Sequence, residues 1–103
     1  MTSFNETYLE QGYVIFENLL HLSLMEDLRS IVGDLIDDAA TLTTSDDVYE
    51  IIKDTKSGEP RIERIKSPHK VDPLFNDLIR FPEITDILRT LLGANVRLQN
   101  SKL

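Results

Sequence analysis

The chain has 103 residues, 41% hydrophobic and 28% charged, with no cysteine and a formal net charge of −7. That bounds it to one domain at most, near the small end of what folds alone, with too much apolar content for wholesale disorder. Disulfides and thiolate metal sites are excluded, no apolar run could span a membrane, and an acidic whole argues against general nucleic-acid binding, which relies on clustered Lys and Arg.

The charge is lopsided. Residues 1–50 hold eleven acids against one base, Arg29, whereas residues 51–103 hold seven acids against ten bases. The basic half suits an anionic small molecule, although solvated surface explains the same charges. Met1-Thr2-Ser3-Phe4 shows no basic segment followed by a long apolar one, so no signal peptide is read there and a cytoplasmic location is favoured.

Ser3-Phe4-Asn5-Glu6 has capping-box spacing and predicts a short helix with Phe4, Tyr8 and Leu9 on its apolar face, ended by Gly12. Tyr13-Val14-Ile15-Phe16, all aromatic or β-branched, predicts a buried strand. Ser23-Leu24-Met25-Glu26 repeats the capping box and predicts a helix over 23–39. Its stripe of Leu24, Leu28, Ile31 and Leu35, with Met25, Val32 and Ile36 alongside, reads as core rather than binding face.

Residues 40–47, "ATLTTSDD", read as a polar linker. Val48 to Ile52 and Arg61 to Ile65 then predict a hairpin around the turn-rich "KDTKSGEP". By simple alternation Ile62 and Arg64 share one face of the second strand, which sets a cation beside an inward-facing side chain. Asp72-Pro73 predicts a helix start, an N-cap acid followed by proline at the first helical position, with Leu74, Phe75, Leu78 and Ile79 buried. Pro82 starts another helix, striped by Ile84, Ile87, Leu88, Leu91 and Leu92 and stopped by Gly93. From Asn95 to Leu103 a terminal strand is predicted, Val96, Leu98 and Asn100 alternating with Arg97, Gln99 and Ser101. The helices at 23–39, Asp72 and Pro82 are expected to pack together against that strand and to bury Leu28, Ile31, Leu35, Leu88 and Leu91.

Chemistry is sparse. A non-haem iron triad needs His-x-Asp or His-x-Glu plus a distant His, but His21 precedes Leu22-Ser23 and His69 precedes Lys70-Val71. No catalytic residue and no metal ligand is assigned. His69 and Asp72, three apart, fit a capping interaction better than a metal site. Gly58 stands alone in its turn and makes no phosphate loop, and Asp37-Asp38 and Asp46-Asp47 lack the spacing of a calcium loop.

The order of elements carries a resemblance. "EQGYVIFENLL", then "LSLMEDLRSIV", then "RIERIKSPHKVDPLFNDLIRFPEITDILRTLLGANVRLQNSKL" resembles the N-terminal third of the phytanoyl-CoA dioxygenase family, the iron(II)- and 2-oxoglutarate-dependent oxygenases. The matching pieces are the "GYVIFENLL" entry strand, the "DPLF" helix start, the "FPEITDILRTLLG" helix and the "NVRLQNSKL" strand; only the region near 40–60 falls outside them. The resemblance implies an α+β chain: an N-terminal helical buttress and the first strands of a double-stranded β-helix, or jelly roll, truncated, with residues 1–103 as one partial domain. The family's iron-binding His-x-Asp and distant His would follow later. Fe(II), 2-oxoglutarate and hydroxylation of a small-molecule substrate would then belong to a longer parent, and this chain alone would bind no cofactor and be inactive.

Arg64-Ile65 falls where family members place a basic residue against the 2-oxoglutarate carboxylate, and a guanidinium can bind a carboxylate bidentately. The residues alone leave open a surface pairing of Arg64 with Glu63 or Glu50. Gln99, Ser101 and Lys102 match stretches lining the family's cosubstrate pocket. A reading from another class also stands, a small acidic interaction module without enzymatic activity.

Ser101-Lys102-Leu103 at a free carboxyl terminus would be a peroxisomal address. The same residues continue an alternating strand, and a receptor-read tail needs a flexible, exposed end. The expectation is therefore that Leu103 interrupts a sheet and that the tripeptide is no address.

Overall fold

A computed structural model describes residues 3–103. Among the described residues, five helices and one two-stranded antiparallel sheet make a mixed helix-and-strand fold, and two strands define no jelly roll.

The N-terminal capping box forms by half: Ser3 caps the helix, but the Glu6 side chain makes no return bond to the Ser3 N–H among the described residues. Ser3 Oγ accepts the Glu6 backbone N–H at 3.1 Å and opens α1 (Phe4–Gln11). Gly12 closes it at φ 82°, a left-handed conformation that a side chain would resist, and its N–H donates to the Tyr8 carbonyl. The Phe16 ring returns over this helix and meets Phe4 edge-on, with centroids 5.2 Å apart. Residues 13–16 are no strand, contrary to the expectation. Val14 and Phe16 are half-buried while Tyr13 and Ile15 are exposed, so the alternation is real, but no backbone ladder forms there. A strand needs a partner, and no described backbone group pairs with residues 13–16.

The second helix, α2 (Leu22–Asp38), starts two residues earlier than the Ser23 capping box implies. His21 takes the N-cap position in extended backbone and makes no side-chain cap, while its carbonyl accepts the Met25 N–H. Leu28 and Leu35 are buried as expected, but Ile36 is half-exposed.

Asp46 nucleates the next element. Its Oδ1 accepts the N–H groups of Val48 and Tyr49, both at 2.8 Å, and turns the chain into β1 (Tyr49–Lys53). Those two bonds, Tyr49 first, hold the Asp46 carboxyl below its ordinary 3.8, helped by the nearby Lys66 charge. The hairpin turn repeats the device. Asp54 Oδ1 accepts from Lys56 and Ser57, its carboxyl likewise lowered by those bonds, and Gly58 takes φ 74° before β2 (Pro60–Ile65).

The hairpin register contains a correction. Tyr49 pairs with Ile65 and Glu50 with Arg64, but Ile51 pairs with Ile62, which leaves Glu63 as an extra residue in β2. The bulge puts Ile62 and Ile65, three apart, on the core face together. Arg64 therefore lies on the opposite face from Ile62, not on the same face as plain alternation requires.

The core lies between α2 and this hairpin. Leu35, Ala39, Tyr49 and Ile65 form it, with Ile31, Leu42, Ile51 and Ile62 packed around them. The Tyr49 hydroxyl donates to the Leu35 carbonyl at 2.6 Å and ties helix to strand. Burial, then the Asp38 and Asp46 charges, push its ionisation above the usual 10.0 and keep the donor in place.

A short helix absent from the sequence reading follows, α3 (Pro68–Val71), entered through Ser67 in left-handed backbone (φ 47°, ψ 58°). A residue before proline resists that conformation, at a cost of about 1–3 kcal/mol. Two bonds hold it there, Ser67 N–H to the Ser101 carbonyl and Lys70 N–H to the Ser67 carbonyl. Asp72 then caps α4 (Pro73–Leu78) as predicted, its Oδ1 accepting Leu74 N–H at 2.8 Å, and Phe75 is buried beside α3.

The last helix, α5 (Pro82–Leu92), has a clean apolar stripe yet not one buried residue. It touches α1 but does not pack with α2 and α4 against a terminal strand, and Leu88 and Leu91 are only half-buried. The expected three-helix core is thus replaced by the α2–hairpin core. Only Ser101–Leu103 of the predicted terminal strand pairs, antiparallel to the continuation of β2 through a bridge between Lys66 and Lys102. The radius of gyration is 17.2 Å, against about 13 Å for a compact domain of this length.

Candidate functional site

The bridge at the end of β2 gathers three of the chain's basic side chains. Arg64 and Lys66 flank the inward-facing Ile65 and so share the outer face of the sheet, and Lys102 stands opposite Lys66 across the antiparallel pair. Like charges placed directly opposite are unfavourable, and the structure answers each one differently. Arg64 Nε lies 2.6 Å from Glu50 Oε2, its cross-strand neighbour, with both side chains more than a third exposed. Lys66 Nζ donates to the Asp46 carbonyl at 2.7 Å. Lys102 has no ion pair or hydrogen bond from its side chain among the described residues.

Of the residues singled out by sequence, Arg64 and Lys102 therefore reach one face. Gln99 is exposed in the irregular stretch that precedes the bridge, without a side-chain hydrogen bond among the described residues. Lys66 was missed by sequence reading. Its signal was present, since the residue two after Arg64 in a strand shares its face.

Ser101 joins this region from a second direction. Its Oγ lies 2.6 Å from His69 Nδ1, and Asn76 Nδ2 donates to the His69 carbonyl at 3.1 Å. His69 thus braces the C-terminal residues rather than sharing a cap with Asp72, which serves α4 alone. Among the described residues no three His, Asp or Glu side chains converge as a metal site would require. The arrangement can hold an anion: a carboxylate could replace Glu50 on Arg64 and neutralise the Lys66–Lys102 pair.

A separate apolar cleft of about 650 Å³ lies between α4, α5 and residues 94–98, lined by Leu78, Ile84, Leu88, Val96 and Leu98. No helix of the described residues is long and apolar enough to cross a membrane.

No family model matches the chain, and no solved structure matches it. Over 101 residues, 93% of its length, the chain is 29% identical to the probable alpha-ketoglutarate-dependent hypophosphite dioxygenase of Stutzerimonas stutzeri. It spans 34% of that protein's length. The chain is thus a distant relative of an alpha-ketoglutarate-dependent dioxygenase.

Proposed function

We propose that this chain is the N-terminal part of an iron(II)- and 2-oxoglutarate-dependent dioxygenase of the phytanoyl-CoA dioxygenase type, which hydroxylates a small-molecule substrate. The observation that carries the reading is the relationship to an alpha-ketoglutarate-dependent dioxygenase, which extends over 93% of the chain but covers a third of the relative. The fold is compatible with it, being a helical buttress on a small sheet with an unclosed apolar side. Arg64, with Lys66 and Lys102 on the same face, would hold a carboxylate of 2-oxoglutarate through charge-assisted hydrogen bonds. Were its stretch to join the sheet, Gln99 would share the face of Ser101, opposite to Arg64, Lys66 and Lys102, and would lie outside that group. The described residues offer no ligand set for iron, so the metal would be held by residues outside this chain. The other reading, an acidic interaction module, has no observation in its favour.

The reading is tested on the polypeptide encoded by the whole reading frame that contains these residues. A His-x-Asp within a few tens of codons after Leu103, and formation of succinate from 2-oxoglutarate with ferrous iron present, are the expected results. In that protein Arg64→Ala should raise the apparent KM for 2-oxoglutarate about tenfold or more, the effect of losing some 1.5–3 kcal/mol of charged hydrogen bonding. An unchanged KM would return Arg64 to its surface pair with Glu50, and absence of 2-oxoglutarate turnover would overturn the reading.

A further inference from the structure

The cations around the end of β2 are unevenly answered. Arg64 pairs with Glu50 across the hairpin, and its Nε sits 2.6 Å from Glu50 Oε2. Glu63, next to Arg64 in sequence, turns instead to Arg61 at 3.5 Å, and Asp54 meets Arg61 at 3.7 Å. Glu50 is therefore the one carboxylate at ion-pair distance from Arg64 among the described residues. Lys66 and Lys102 oppose each other close by, and neither meets a carboxylate among the described residues. An acid placed to relieve that repulsion would sit between the lysines. This one covers the guanidinium, the group best built to chelate a carboxylate. Both side chains of the pair are more than a third exposed, and Glu50 makes no other side-chain hydrogen bond among the described residues.

We propose that Glu50 is a displaceable internal carboxylate: it occupies Arg64 while the anion site is empty and yields the guanidinium to an incoming dicarboxylate, which joins Arg64 to the Lys66–Lys102 pair. The inference rests on the proposed function, because it takes 2-oxoglutarate as the anion that displaces Glu50. The exchange gives Arg64 one carboxylate for another, so the net gain comes from the lysines, which meet a carboxylate only when the ligand arrives. A ligand that uses Arg64 binds in proportion to the time for which Arg64 is free, and its apparent Kd rises with the stability of the internal pair. For an exposed pair that factor is about five at most. Glu50 thereby sets the concentration at which the site fills without itself touching the ligand.

Succinate, a dicarboxylate whose binding requires no turnover, is the probe, titrated calorimetrically into the polypeptide of the whole reading frame. Glu50→Gln should tighten its Kd about three- to fivefold, and the same change made in an Arg64→Ala background should have no effect. Unchanged or weaker binding in Glu50→Gln would overturn the displacement and make Glu50 a bystander or a support for Arg64. An equal gain with and without Arg64 would assign the effect to bulk charge and overturn it as well. The unsubstituted polypeptide gives a second reading by NMR. On saturation the Arg64 Nε–H and the Glu50 side-chain carboxyl carbon should both shift, and a shift of Arg64 alone would sink the exchange. Succinate that fails to bind at all would do the same. Turnover of 2-oxoglutarate without these effects overturns the displacement and leaves the proposed function standing. The effects without turnover overturn the function and leave the displacement standing.

Discussion

Two regions of this chain carry apolar patterns of similar clarity and meet opposite fates. In the first, the C-terminal half of α2 meets a bulged hairpin, and every buried apolar side chain of the described residues falls between Leu28 and Phe75. In the second, α1, residues 13–20 and α5 present Leu9, Tyr13, Ile15 and Leu92 to solvent, each more than half exposed. An amphipathic stripe states that a face is to be covered; it does not name the cover. Where a hairpin with the right register is close by, the stripe is satisfied within the chain. Where it is not, the face stays open, and α5 is the clearest case.

The largest expected effect comes from truncating both regions alike. Ile65→Ala removes a side chain that is 3% exposed and should cost about 2–4 kcal/mol, whereas Leu92→Ala, at 58% exposure, should cost less than about 0.5 kcal/mol. Urea denaturation of the two variants would measure this, and equal losses would erase the distinction between the regions. Next in size is the tie between α2 and β1. Tyr49→Phe deletes the hydroxyl that donates to Leu35 and leaves a buried carbonyl without it, a loss of about 1 kcal/mol by the same measurement. An unaltered midpoint would show that helix and strand are held by packing alone.

The smallest effect is a pH dependence seated in the first region. Asp46 and Asp54 have carboxyls lowered by backbone hydrogen bonds, so the unfolded chain binds their protons first as pH falls. Their stabilisation is complete above the unfolded value and is lost as pH drops below about 4 through the folded values. The melting temperature should hold between pH 7 and pH 5 and decline below pH 4. Asp46→Asn, which keeps an acceptor but cannot titrate, should make the decline shallower. A decline of the same slope in that variant would place the sensitivity in other carboxylates.

Local chemistry was legible wherever a side chain acts on its own backbone. Ser3 and Gly12 bound α1, Asp72-Pro73 opens α4, and the hairpin forms around "KDTKSGEP", all close to where the residues place them. The readings that failed each needed a partner. Tyr13 to Phe16 has the composition of a strand but no ladder to join. The Ser23 capping box lost to a helix start two residues earlier, capped at His21.

For the candidate site, Arg64 and Lys102 could be picked out singly, but not their meeting. Alternation put Arg64 beside Ile62, and the extra residue Glu63 rotated it to the outer face, where Glu50 reaches it. A bulge is a property of two strands in register, and nothing in "RIERI" alone reports it.

What the sequence by itself determined are four of the five described helices, the caps of α1 and α4, the hairpin turn and the uneven charge, because these follow from interactions within a few residues of one another. Only the tertiary structure decided that α2 takes the hairpin as its cover and that Lys66 and Lys102 face each other. It alone decided that Ser67 is held in a strained turn by Ser101. Those outcomes join residues more than thirty positions apart in two of the three cases, and no short-range preference encodes which distant edge is within reach when the chain folds.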